Sequence, residues 1–388
     1  MPNAKPLQPP SSGAKRLNFT YTPFSNVDNL YVARMRQVLS RYGEVRQFQG
    51  VKKSILDVLR WNRSRYDVAF FNWMENDILD PKSHRISWSR VATVFLKTLG
   101  TRFISRRVVF FRHNLFPHAT VKSQEQLAQR ILARYEKLFD LVYVHSGAHL
   151  ENGRLYCPHP LYPRAVAATP AVPGVEEAGA VADAARAAHP GAFGDTAHPA
   201  NLAHPAHSGP WPSALKPPLP NEFFVAFGRI ARYKQILELA RAFPAGHNLL
   251  VIGSISDMAY SRELEAIDRP NVFFRPGQLS EADAQAVILK SRGVIISHAG
   301  DNTIVSGTFF YAVSLPVPVI AVETPFLKWA APLVGENLMV LTPNLEGLAK
   351  AVAEFRPAPD LAHLKPRIEQ AFGDDAIAAA LAPAVKGL

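Results

Sequence analysis

The stretch FFVAFGRIARYK, Phe223 to Lys234, decides how this chain reads. Its apolar run has the length and composition of a buried strand and stops at Gly228. Arg229 follows at once, and Lys234 stands where a helical pattern opens. There Ile236, Leu239, Ala240 and Phe243 recur at i, i+3, i+4 and i+7, so the spacing predicts a helix packed on a sheet. Two cations are thereby placed at the carboxyl edge of a strand, where open α/β sheets take their ligands. Arginine offers a planar fork and lysine a point charge, a pairing suited to a diphosphate. Two solvated surface cations behind a strand would show the same spacing.

A second anion-binding element is expected at Ser306-Gly307-Thr308. It separates a strand-like run, Gly293 to Ser297 leading into His298, from a short apolar helix, Phe309 to Leu315. At a helix start these residues offer free backbone N–H groups, hydroxyls and the positive end of the helix dipole. The same residues also suit an ordinary N-cap. On neighbouring strand–helix units of one domain, the two elements describe a pocket for the diphosphate of a nucleotide sugar.

The rest of the chain supplies the frame. Strand signals fall at Leu17–Pro23, Val45–Gln49, Asp67–Asn72, Val108–Arg112 and Leu141–His145. Helical patterns lie between them, the first using Tyr31, Met35, Val38 and Leu39, with Gly43 as its expected C-cap. A second series of strands begins at Phe223 and continues at Asn248–Gly253, Val272–Phe274, Gly293–Ser297, Val317–Val322 and Leu338–Leu341. Alternation of this kind predicts parallel sheets wrapped by helices. Between the two series, residues 165–218 are rich in Ala, Pro, Gly and His and nearly empty of large apolar side chains, the composition of a disordered linker or surface insertion. The histidines of its His-Pro pairs, His189, His198 and His204, have no rigid scaffold to make them metal ligands.

A length of 388 residues suffices for two domains with full cores. The single cysteine, Cys157, excludes an internal disulfide and fits a reducing compartment. The opening MPNAKPLQPPSSGAKR lacks the apolar core of a signal peptide, and no apolar run has the length of a membrane span. A cytoplasmic protein is expected. Charge is uneven: residues 1–160 carry 25 Lys and Arg against 11 Asp and Glu, the remainder 18 against 21, which together give the net +11. No basic–aromatic repeat, zinc-ligand spacing or helix-turn-helix pattern accompanies the basic half, so nucleic acid is not the expected partner. An anionic membrane surface or a lipid diphosphate explains it better. Residues 84–107 are the focus. Trp88, Val91, Phe95, Leu99 and Phe103 are expected along one helical face, with Arg90, Lys97, Arg102, Arg106 and Arg107 elsewhere, the pattern of an interfacial helix. A helix that covers its own sheet is the other reading, and the two are compatible.

At these residues the chain resembles the GT-B glycosyltransferases. GRIARYK resembles the G-R-x-x-x-x-K donor-phosphate signature of glycosyltransferase family 4. A closer resemblance, to the xanthan-assembly β-mannosyltransferases of the GumI family, runs through Asn26–Tyr31, Tyr66–Val68, Trp73, Glu75 and Arg112–His118. It continues through His159–Tyr162, Phe227–Lys234 and Ser306–Leu315, covering most of the chain outside the termini and residues from about 165 to 217. The E-x7-E pair of family 4 is absent, with Ile304 and Ala312 at the matching positions, so that family's ribose contact and retaining chemistry do not carry over.

The resemblance implies two Rossmann-like domains with a cleft between them. A tail (1–16) precedes an acceptor and membrane domain (17–164), then come the low-complexity segment (165–218), a nucleotide-sugar-binding domain (219–345) and a helical tail (346–388) whose last helix returns to the first domain. Gly228, Arg229, Lys234, Ser306, Gly307 and Thr308 would hold the donor, and Glu75, His113 and His118 are the catalytic candidates. No metal or other cofactor is expected, although Glu75-Asn76-Asp77 superficially resembles a D-x-D motif; basic side chains and helix dipoles serve instead. Asp28 reads as an N-cap or acceptor contact. The implied activity is transfer of mannose from GDP-mannose, with inversion, to a lipid-diphosphate-linked oligosaccharide in bacterial exopolysaccharide assembly, at the inner-membrane surface. A different donor, a sugar-nucleotide 2-epimerase or hydrolase, and an inactive scaffold of the same fold stay open.

Overall fold

The computed structural model describes residues 16–25, 30–51, 66–117, 120–164, 222–298, 304–335, 337–356 and 361–388. Asp28, His118 and the expected low-complexity segment 165–218 lie outside the described residues. What is described forms two α/β domains, each on a six-stranded sheet whose paired strands all run parallel.

The first sheet takes the order β2-β1-β3-β4-β5-β6. Its strands are β1 (Leu17–Thr22), β2 (Gly43–Gln47), β3 (Tyr66–Asn72), β4 (Ser105–Arg112), β5 (Leu141–Val144) and β6 (Leu155–Tyr156). Every residue of β3, YDVAFFN, is buried, as a parallel strand covered on both faces requires. The two-residue β6 is too short to leave a pattern in the sequence. Gly43 proves to be the first residue of β2 and not a helix cap. A Cβ there would lie 2.4 Å from the Leu17 carbonyl oxygen, so the glycine serves close strand approach.

Helices α1 (Leu30–Ser40), α2 (Trp88–Ile104) and α3 (Glu125–Glu136) belong to this domain. The face expected for α2 divides. Val91 turns inward with Val94, Thr98, Thr101 and Ile104, while Phe95 is half-buried against Tyr135. Trp88, Leu96, Leu99 and Phe103 form an outward stripe, the first two 65% and 67% exposed. One helix thus covers its own sheet and offers an apolar ridge to solvent.

The second sheet has the order β12-β11-β10-β7-β8-β9. It comprises β7 (Phe224–Phe227), β8 (Leu249–Gly253), β9 (Val272–Pro276), β10 (Gly293–Ile296), β11 (Val319–Val322) and β12 (Met339–Thr342). From β7 the chain winds outward through β8 and β9, then returns to the other side of β7 and winds away through β10 to β12. The direction of winding reverses between β7 and β10, which leaves a crevice at their carboxyl ends. One face carries α4 (Ile236–Ala242), α5 (Met258–Glu265) and α9 (Leu345–Ala353). The other carries α6 (Glu281–Lys290), α7 (Gly307–Ser314), α8 (Pro325–Val334) and α10 (Lys365–Phe372).

The last helix, α11 (Asp374–Val385), leaves the second domain. Its Ile377, Ala378, Leu381 and Ala384 join the first-domain core built on Phe19, Tyr31, Val68 and Phe111. Arg34 pairs with Asp374 at 2.7 Å at its start. Arg107 donates to the carbonyls of Pro383 and Lys386 at its end, where a cation complements the helix dipole. Leu381 is fully buried. Leu381→Ala should therefore lower the stability of the first domain by about 2–5 kcal/mol, read from denaturant unfolding followed by hydrogen exchange of β1 and β3.

Candidate active site

Two groups of side chains gather at the carboxyl ends of the strands, one in each domain. In the second domain the chain leaves β7 through Gly228, whose φ of 99° lies in the left-handed region. A Cβ at Gly228 would lie 3.4 Å from Lys234 Nζ and 3.5 Å from Thr308 Oγ1, so both functional atoms converge on the space the glycine leaves open. Gly253 closes the arrangement from beneath: a Cβ there would sit 1.9 Å from the Gly228 carbonyl oxygen. The resulting cavity is lined by Gly228, Arg229, Lys234, Ser297, His298 and Thr308, among others.

The cations of GRIARYK take different roles. Arg232 turns away to salt bridges with Asp257 and Glu263, at 2.9 and 2.6 Å. Arg229 and Lys234 remain for the cavity. Burial, with Arg229 beside it, lowers Lys234 to a pKa of about 8. An ammonium held this way gains when an anion arrives. The residues of Ser306-Gly307-Thr308 also divide. Ser306 is buried, and its hydroxyl accepts from the Phe309 N–H at 3.4 Å as the N-cap of α7. Gly307 begins the helix with open space where a Cβ would be. Thr308 donates its hydroxyl proton to the Phe227 carbonyl at 3.1 Å, tying α7 to the end of β7. His298, at the end of β10, joins the lining although nothing in its local sequence marked it. Only the strand order places that end beside β7.

In the first domain, β1 and β3 end side by side, and Asn72 bridges them by donating Nδ2–H to the Thr22 carbonyl at 3.1 Å. That contact orients the amide, so Oδ1 must be the acceptor for His113 Nε2, 3.2 Å away. The His113 lone pair is consequently on Nδ1. Trp73, at a φ of 53° unusual for an aromatic residue, stacks its ring on His113 with centroids 4.3 Å apart. Burial, together with His145 and His159, holds His113 well below the ordinary histidine range. The imidazole is neutral at physiological pH, with its lone pair on Nδ1.

Glu75 lies behind this group, fully buried. Its Oε1 accepts from the backbone N–H groups of His113 and Asn114 at 3.2 and 3.1 Å, fixing the turn that carries the histidine. Among the described residues its Oε2 has no hydrogen-bond partner. Burial pushes its pKa up to about 7.

His145 and His159 extend the first group. His145 donates Nδ1–H to the Cys157 carbonyl at 2.8 Å and faces the Tyr31 hydroxyl with Nε2 at 2.9 Å. Rings then touch in sequence. His113 to Tyr31 and Tyr31 to His159 are both 4.9 Å, and His159 stacks on Phe310 of α7 at 4.1 Å. The histidine pocket is thus packed, through one side chain, against the helix that carries Thr308. His159 was legible only through the family resemblance, and the roles of Asn72, Tyr31 and His145 emerge from the strand ends meeting.

A carboxyl with a raised native pKa stabilises the fold below about pH 4.5 and costs stability as pH rises toward 7. Glu75→Gln should remove that part of the pH dependence, about 3 kcal/mol across the window. Parallel denaturant titrations of the wild type and Glu75→Gln at pH 5 and pH 8 check this. Equal slopes with pH in both proteins would contradict it.

No protein-family model and no curated protein sequence matches the chain. Solved structures do. HepE from Anabaena, in complex with UDP and glucose, superposes over 96% of this chain and 100% of its own, with a TM-score of 0.54 and 12% identity. An α,α-trehalose-phosphate synthase (UDP-forming) from Burkholderia xenovorans covers 85% of this chain and 74% of its own, with a TM-score of 0.51 and 14% identity. A sucrose-phosphate synthase from Thermosynechococcus elongatus covers 92% and 78%, with a TM-score of 0.51 and 16% identity. At such identities the likeness establishes architecture: this chain has the GT-B fold, two Rossmann-like domains facing each other across a cleft.

Proposed function

We propose that this chain is a sugar-nucleotide-dependent glycosyltransferase that holds its donor in the second domain and its acceptor on the first. The observation that carries this reading is the meeting of Lys234 Nζ and Thr308 Oγ1 over Gly228, at the sheet's reversal point and facing the cleft. Charge develops on the leaving diphosphate as the glycosidic bond breaks, and donors fixed in advance at that point lower the barrier. Arg229, Lys234 and the start of α7 would supply them, with no metal required. His113 would take the acceptor's proton through Nδ1, with Glu75 as the positioning residue for its turn. HepE, which shares the fold, is described with UDP and glucose, which supports a nucleotide-sugar occupant here.

The finer reading is mannose from GDP-mannose, passed to a lipid-diphosphate-linked oligosaccharide in bacterial exopolysaccharide assembly. It is supported by the residues shared with xanthan-assembly mannosyltransferases. Peripheral attachment to an anionic inner-membrane surface is supported by the basic excess of residues 1–160 and by the Trp88, Leu96, Leu99 and Phe103 stripe of α2. Part of that basic excess is structural. Arg90 donates to the Asp77 carbonyl, Arg102 binds Leu138 and Asp140, and Arg107 caps α11. The aromatic and aliphatic ridge therefore carries the specific contact, with long-range attraction from the net charge. Among the described residues, no helix is long and apolar enough to cross a membrane.

Lys234→Ala and Arg229→Ala should each weaken nucleoside-diphosphate binding by about 1.5–3 kcal/mol in calorimetric titration. In the wild type the affinity should fall as pH rises through about 8, where Lys234 loses its proton, and Lys234→Ala should lack that fall. Unchanged affinity in both variants would discard the phosphate assignment, while a panel of nucleotide sugars read by thermal stabilisation would name the donor.

The triple variant Trp88→Ser, Leu96→Ser, Leu99→Ser should lose co-sedimentation with anionic vesicles while retaining nucleotide binding and unfolding temperature. Binding retained by the variant would mean that the ridge does not contact lipid.

A further inference from the structure

Beside the donor cavity lies a half-buried group of side chains on α6 and α7. Phe227 joins the two, lining the cavity while its ring meets Tyr311 edge-on at 5.0 Å. Thr308 and Tyr311 are three residues apart on α7, hence on one face and separated by about 4.5 Å along the axis. The Tyr311 hydroxyl donates to Glu281 Oε2 at 2.7 Å, and Gln285 Nε2 donates to Glu281 Oε1 at 2.8 Å. Gln285 is in turn buried and held by the Pro163 carbonyl at 2.8 Å. A half-buried carboxylate is thus fixed in place from two sides.

Its place is informative. A carboxylate would repel any phosphate set against it, so the part of a nucleotide it meets must be neutral and hydroxylic. In a nucleoside diphosphate the sugar hydroxyls follow the diphosphate by a few bonds. Each oxygen of Glu281 uses one acceptor site on Tyr311 or Gln285 and keeps another, which suits a vicinal diol. Burial raises the Tyr311 hydroxyl above its ordinary pKa, so it stays a proton donor to Glu281. Acidic side chains recognise ribose hydroxyls in this way in other Rossmann-type domains. Ala312, the residue after Tyr311, is buried and has no polar side-chain atom to offer.

We infer that Glu281, oriented by Tyr311 and Gln285, binds the ribose diol of the nucleotide and makes this site selective for ribonucleoside over deoxyribonucleoside diphosphates. The inference rests on the nucleotide-sugar reading of the cavity. It adds a specificity residue that neither phosphate-binding segment contains.

The test is calorimetric titration of the full chain with the tightest-binding ribonucleoside diphosphate, its 2′-deoxy counterpart and inorganic pyrophosphate. Wild type should prefer the ribonucleotide by about tenfold or more, the value of one hydrogen bond to a charged group. Glu281→Gln should bind both nucleotides about equally, with pyrophosphate affinity unchanged. Tyr311→Phe, which keeps the ring and frees the carboxylate, should lose part of the preference. Retained ribose preference in Glu281→Gln, or an equal loss of pyrophosphate binding, would overturn the assignment. No binding of any ribonucleoside diphosphate by the wild type would overturn the cavity reading and this inference with it.

Discussion

The reversal of winding beside β7 is the constraint from which the site follows. A parallel sheet must return its chain over a helix after each strand, so loops at the carboxyl ends of neighbouring strands are normally closed by crossovers on the same side. Where the winding changes direction, the crossovers diverge to opposite faces and leave a gap. In the second domain that gap lies between β7 and β10, and the residues that fill it are the flexible-backbone Gly228 and the polar groups around it. The first domain repeats the device between β1 and β3, where Asn72 closes the gap and the histidines gather. A cleft with cations on one wall and a neutral imidazole on the other is the chemical outcome.

Burial sets the protonation states on the two walls. Lys234 is lowered but keeps its charge near neutrality, as a phosphate ligand should. His113 is kept neutral by burial and by the neighbouring His145 and His159. Glu75 has a cost attached. Its carboxyl is enclosed with one oxygen unpartnered among the described residues, yet its other oxygen fixes two consecutive N–H groups at the end of β4. Structural stability at neutral pH is given up there for a rigid histidine, a trade common where a catalytic group must be positioned.

The domains are tied at places that bear on the cleft. His159 stacks on Phe310, Tyr162 donates its N–H to Ser314 Oγ, and Gly147 leaves room for Trp329, whose indole would be 2.1 Å from a Cβ there. Meanwhile α11 completes the first core with side chains from the far end of the chain. Leu161 and Tyr162 already pack in the second-domain core, so the segment after His159 belongs to that domain's packing. Pro163 of the same segment holds Gln285, and through it Glu281.

Much of this was legible from residue order alone. Buried strands announce themselves as apolar runs because both faces of a parallel sheet are covered, and Gly228 with its cations marks where one such run ends. Gly228, Arg229, Lys234, Thr308 and His113 could be picked out on that basis and by family resemblance. The reading could not rank them, because hydrogen bonding between distant segments decides function. Arg232 differs from Lys234 only in having acids from α5 within reach, and Ser306 differs from Thr308 in which atom its hydroxyl meets. The face expected for α2 divides between sheet and solvent, since helical periodicity fixes that a stripe exists but not where the sheet touches it. His298, Asn72, His145 and the Glu281–Tyr311 pair carry no local signal. Strand order, which depends on contacts between residues far apart in sequence, alone put them beside the cleft.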